Sequence, residues 1–119
     1  MLDTKATVGA IMVDCRDPDA LFDFWSQITG VEIAQRYPDY IFTTPLADSS
    51  IRLAFQSVDE DKISKNRLHL DLNHENPEKF INAVIHLGGS RIQDHEIDGF
   101  SWTVLQDPEG NEFCVTSVL

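Results

Sequence analysis

The strongest constraint on what this chain can fold into is that it resembles itself. A shift of 59 lays residues 13–33 over residues 72–92. Asp17 then falls on Asn76, Pro18 on Pro77 and Asp19 on Glu78. Leu21, Phe24, Trp25 and Ile28 fall on Phe80, Ala83, Val84 and Leu87, while Gly30 and Ile33 meet Gly89 and Ile92. Continued without a gap, the same offset sets Asp39 on Asp98, Leu46 on Leu105 and Asp48 on Asp107. Self-similarity of this kind implies two copies of one supersecondary unit.

Each copy carries the punctuation of a helix. Asp17 and Asn76 are of the type that caps a helix start, where a side-chain oxygen meets free amide donors. Pro18 and Pro77 follow at the first helical position, which needs no N–H. Asp19 and Glu78 favour the positive end of the helix dipole. The apolar residues at i, i+3, i+4 and i+7 form one face, and glycine ends both segments. The spacing predicts helices over Pro18–Thr29 and Pro77–Leu87.

Strand-like runs flank each helix. One precedes it, over Val8–Cys15 and Arg67–Asn73, and three follow it. In the first copy these are Val31–Arg36, Tyr40–Thr44 and Ile51–Val58; in the second they are Ser90–His95, Phe100–Gln106 and Glu112–Val118. The turns Pro45–Ser50 and Asp107–Asn111 have suitable chemistry. The expectation is one α+β domain over residues 1–119, made of two βαβββ units near 8–58 and 67–118 and joined by the charged segment Asp59–Asn66. One such unit alone would have a poor core.

Charge and cysteine content narrow the function classes. The formal net charge is −11, which opposes phosphate binding and argues against a nucleic-acid partner. The apolar runs are too short to span a bilayer, and the first residues do not read as a secretory signal. Cys15 and Cys114 stand apart with no CxxC or Cys/His cluster, so neither a disulfide scaffold nor a structural zinc site is expected, and the expected compartment is the cytoplasm.

The duplicated unit, together with Asp14-Cys-Arg-Asp-Pro18, Phe24-Trp25, the segment Asn66–Leu72 and the turn Asp107-Pro-Glu-Gly-Asn111, resembles the glyoxalase/bleomycin-resistance (vicinal oxygen chelate) superfamily, in its glyoxalase-like branch. The resemblance runs from about Val8 to the end of the chain. It implies a curved mixed sheet around a cavity, helices packed outside and frequent pairing into homodimers. It also implies that members range from metal-dependent lyases, isomerases and dioxygenases to metal-free proteins that sequester antibiotics. Fold alone does not choose among these.

The resemblance places metal ligands seven residues before each helix cap and on each last strand. Here those positions are Ala10, His69 and Cys114, with Phe55 the counterpart of Cys114 at the same offset. A slip of one residue would put Gln56 or Ala54 there instead. Alanine and phenylalanine cannot donate, so the usual metal site and any other cofactor are expected to be absent.

Alternation along strands suggests what faces the cavity instead. His69, Asp71 and Asn73 share one face, with Leu68, Leu70 and Leu72 towards the helix. Ala10, Met12 and Asp14 share the cavity face in the first unit, and Glu112, Cys114 and Thr116 on the last strand. The face taken by Trp102, Val104 and Gln106 is left open by pattern alone. The candidate ligand-binding set is Met12, Asp14, Phe55, His69, Asp71, Glu112 and Cys114, with His69 and Asp71 the candidate acid/base groups. Each has a plainer reading: His69 and Asp71 as a structural pair, Asp14 as a turn stabiliser and Cys114 as an inert cavity-lining thiol. His74, His86 and His95 read as solvent-facing.

Three functional readings follow. The leading one is a metal-free binder of a small organic ligand, or an enzyme using His69 and Asp71. The second is a metalloenzyme with ligands from His69, Asp71, Glu112 and Cys114. The third is an interaction module with a filled cavity. Three carboxylates, Asp14, Asp71 and Glu112, with no lysine or arginine among the strand positions beside them, point to a cationic ligand.

Overall fold

A computed structural model describes residues 5–117. Val118, expected to end the last strand, lies outside the described residues. The chain divides into two compact units, Met1–Asp59 and Glu60–Leu119.

The first unit runs β1 (Ala10–Cys15), α1 (Pro18–Thr29), β2 (Ile33–Tyr37), β3 (Tyr40–Pro45) and β4 (Arg52–Ser57). The second runs β5 (Asp71–His74), α2 (Pro77–His86), β6 (Ser90–Ile97), β7 (Phe100–Gln106) and β8 (Glu112–Ser117). Each unit is a βαβββ motif whose strands make a four-stranded mixed sheet, in the order β1-β4-β3-β2 or β5-β8-β7-β6. The first and last strands pair in parallel and the others antiparallel. Neither sheet closes into a barrel.

The helix starts form as their sequence dictates. The Ala20 N–H donates to Asp17 Oδ1 (3.1 Å) and the Lys79 N–H to Asn76 Oδ1 (3.2 Å), with proline next in line at both. Gly30 ends α1 at φ 81°, a left-handed conformation that a Cβ would disfavour. α1 buries Leu21, Phe24 and Trp25. α2 buries Phe80, Ile81 and Val84, so Ile81 takes the place expected of Ala83, which is exposed. The larger side chain turns the apolar face towards itself. Each such buried side chain contributes roughly 1.5–3 kcal/mol. After α2 the chain passes so close to its neighbours that a Cβ on Gly89 would stand 2.6 Å from Val84 Cγ1 and 2.7 Å from the Gln106 carbonyl.

The repeat holds at an offset of 59 through the helix starts, but not to the end. The hairpin pairs Tyr37↔Tyr40 and Ile97↔Phe100 are related by 60. So are the final strands: Val13 pairs with Phe55, whereas Leu72 pairs with Val115. Across the sheet the Gln35↔Phe42 pair answers to Gln93↔Val104, so the second hairpin is the longer one; with shorter connections on either side of it, the second copy has a net gain of one residue by its last strand, and Asp98 (φ 52°) and Gly99 (φ 81°) make its turn. The gapless pairings of Asp39 with Asp98, Leu46 with Leu105 and Asp48 with Asp107 do not survive.

That one residue reverses an assignment. Phe55 was expected beside the cavity as the counterpart of Cys114. It is the counterpart of Val115 instead, is fully buried, and meets the α1 ring of Phe22 edge-on at 6.3 Å. Because side chains alternate, a shift of one moves a residue to the opposite face. The residue at the Cys114 position of the first unit is Ala54, opposite Met12.

Candidate functional site

The second unit gathers its polar chemistry at one end of the β5–β8 pair. The strand was expected to start at Arg67, but regular pairing begins only at Asp71. Leu68 is correspondingly 88% exposed and does not face α2. The approach to the strand is held by Asn66, whose side chain accepts from the Glu112 N–H (2.9 Å) and donates to the Glu112 carbonyl (3.3 Å) and to the Leu68 carbonyl. The amide thus stands in for a missing strand residue. One step on, the Cys114 N–H donates to the Leu70 carbonyl (2.9 Å), which fixes His69 beside β8.

From there the register determines the rest. Asp71 pairs with Cys114 and Asn73 with Thr116 across the parallel ladder. On the other side of β8, Val104 pairs with Cys114 and Thr103 with Val115, which puts Trp102 on the face of Cys114 and Thr116. The open question of which way Trp102 points is answered by its neighbours. His69, Asp71, Phe100, Trp102, Cys114 and Thr116, with Leu72 and Val115, line a pocket of about 340 Å³. Its walls are mainly apolar, and it is not filled by that unit's side chains.

Within it, His69 Nε2 stands 3.2 Å from Asp71 Oδ1. Cys114 is buried with its Sγ within 4.8 Å of an Asp71 carboxylate oxygen, and its thiol pKa is pushed up, first by burial and then by the negative charges of Asp71 and Glu112. A protonated thiol in such surroundings is a poor nucleophile. The wall is aromatic: Trp102 lies 5.7 Å from Phe100, and its cross-strand partner His95 stacks on it at 5.0 Å. His95 is therefore partly covered and not simply solvent-facing. Nor is His74, whose Nδ1 accepts from the Asn76 N–H and whose ring packs on Phe80. His86 is exposed at the end of α2.

The other expected site residues go elsewhere. Glu112 pairs with Lys65 and lines a separate groove with Lys62, Gln106 and Glu109. The lysine that answers its charge comes from the connecting segment, beyond the reach of strand alternation. Met12 and Asp14 are exposed on β1 of the first unit. Phe100 was not among the expected residues; its shared parity with Trp102 was the available signal. The Asp107-Pro-Glu-Gly-Asn111 turn is self-contained, since Asp107 accepts from the backbones of Glu109 and Asn111 and from the Asn111 side chain.

The donor set decides how a metal of the family's kind would fare. Ala10 and Ala54 supply no ligand atoms, so the four-position set does not fit. The second unit keeps the other two positions and adds a third donor: ligand atoms of His69, Asp71 and Cys114 lie within 4.8 Å of one another.

Comparison with known proteins bears on the fold. The sequence profile described as "Glyoxalase-like domain" matches residues 10–116. No curated protein sequence matches the chain. Among solved structures, a glyoxalase/bleomycin resistance protein/dioxygenase family enzyme from Burkholderia phytofirmans PsJN is similar at a TM-score of 0.79 and 22% identity, over 96% of this chain and all of that one (100%). A genomically encoded fosfomycin resistance protein from Listeria monocytogenes is similar at 0.78 and 11% identity, over 98% and 96%. A lactoylglutathione lyase from Agrobacterium tumefaciens is similar at 0.66 and 14% identity, over 97% and 96%. At these identities the likeness is one of fold.

Proposed function

Since the chain belongs to the glyoxalase-like domain family, we propose that it is a cytoplasmic small-molecule-binding member whose organic ligand occupies the pocket of the second unit. The observation that carries this reading is the combination of an open apolar pocket and three convergent polar side chains, His69, Asp71 and Cys114. Binding sites for small organic molecules are typically built that way, with apolar walls for affinity and few polar groups for orientation. A pocket left open also favours ligand binding over an interaction module with a filled cavity. His69 and Asp71 are the groups placed to move a proton if the ligand is a substrate.

The test is incubation with cell extract followed by mass spectrometry of what the protein retains. A discrete small molecule, released on denaturation and lost in Trp102→Ala, supports the reading. Retention of nothing above a control protein overturns it. The expected assembly is a homodimer, checked by light scattering against the 13.5 kDa chain.

A second reading is favoured by the 4.8 Å cluster: a thiophilic ion such as zinc held by His69, Asp71 and Cys114. Binding would require loss of the Cys114 proton, which its surroundings oppose. Cobalt substitution giving a thiolate charge-transfer band that disappears in Cys114→Ala would establish it.

A further inference from the structure

The chemistry of the pocket goes further than "small organic molecule". We infer that its ligand carries a cationic ammonium group next to an apolar body, with the cation seated between the Asp71 carboxylate and the Trp102–Phe100 wall; this rests on the pocket reading above.

Three observations converge. First, among the described residues Asp71 is the one acidic residue on the lining, and no lysine or arginine lines the pocket with it. Its neighbours, His69 Nε2 at 3.2 Å and the Cys114 sulfur within 4.8 Å, leave capacity unused, since a carboxylate has about four acceptor sites. Its side chain is 70% exposed, so a ligand can reach it. Second, Trp102 and Phe100 line the pocket from the same strand face with ring centroids 5.7 Å apart, the kind of aromatic surface that attracts organic cations through the negative faces of the rings. His95, stacked at 5.0 Å behind Trp102, holds that indole in place. Third, the chain as a whole carries a net charge of −11, which raises the local concentration of cations and repels anions.

Of the carboxylates Asp14, Asp71 and Glu112, only Asp71 is among the described residues that line the pocket; Glu112 is paired with Lys65. A single solvated carboxylate gives little affinity. Paired with an aromatic wall it gives selectivity for an amine or quaternary ammonium over an equally shaped neutral molecule.

Three matched probes test this by protein-observed NMR titration, followed at the Trp102 indole N–H: 2-phenylethylamine, 2-phenylethanol and phenylacetate. The expected order is amine, then alcohol, then carboxylate, with the amine favoured over the alcohol about fivefold, the ratio that about 1 kcal/mol represents. In Asp71→Asn that preference falls to about onefold while the alcohol binds as before. Circular dichroism checks the fold of the variant, and the order of the three probes on the wild type stands independently of it. Equal binding of all three, or preference for phenylacetate, overturns the cation and leaves the pocket intact. An amine preference that persists in Asp71→Asn assigns it to the general acidic field and also overturns it. Failure of every probe to perturb Trp102 removes the pocket reading itself, and the cation with it. Zinc binding in place of the amine, abolished by Cys114→Ala, overturns it in favour of the metal.

Discussion

Asp71 and Cys114 are direct partners across the parallel β5–β8 ladder, and the carboxylate lies within 4.8 Å of the thiol sulfur it faces. Their counterparts in the first unit are Met12 and Ala54, which can do nothing of the kind. The duplication preserved the ladder and let its chemistry diverge, leaving the polar trio in one copy.

The Cys114 thiol is expected to stay protonated at neutral pH, because burial and the negative charges beside it raise its pKa. Alkylation by iodoacetamide, followed by peptide mass spectrometry, should be slow at pH 7 and accelerate only above the range of an ordinary thiol. Asp71→Asn should speed it at a given pH, though only in part, since burial is the leading cause. The same shift makes a stability contribution that is full below the unfolded thiol pKa and lost as pH rises through the folded one.

Phe55→Ala should destabilise the protein by about 3–5 kcal/mol, the range for emptying a core aromatic site. Met12→Ala, at a residue 41% exposed, should cost less than about 1 kcal/mol. Urea unfolding of both variants checks the reassignment of Phe55 from cavity to core.

That reassignment marks the limit of what the sequence makes legible. The helices could be read residue by residue because caps, prolines and apolar faces act within a few positions of one another. The facing of the last strands could not, since a net gain of one residue between helix and last strand inverts their alternation and announces itself only through pairing. Trp102 was ambiguous for the same reason: a strand's faces are named by its neighbours. Lys65 answers Glu112 from 47 residues away, a distance that no local pattern spans. His69, Asp71 and Cys114 were legible because the helix cap and the last turn anchor their counting.

Gly89→Ala should cost about 1–3 kcal/mol, as the new Cβ would press on Val84 and on the Gln106 carbonyl. Gly9→Ala meets nothing within 4 Å and should stay within about 0.5 kcal/mol of wild type. Thermal melts of the pair compare a close backbone approach with an open one.

Asn66→Ala should leave the Glu112 amide without its acceptor and loosen the approach to β5. Hydrogen exchange at Glu112 should speed at least tenfold, while the α1 amides of the first unit stay unchanged. Ligand retention should fall as well, because Asn66 holds the segment that positions His69.

The most direct test is a chemical-shift map of the amide-labelled protein, titrated with the small molecule retained from extract. The account predicts that the largest changes fall on Asp71, Trp102, Cys114 and Thr116, with the Trp102 indole among them. Changes centred instead on Tyr37, Tyr40 and Phe42, or on the groove between Lys65 and Glu109, would contradict it.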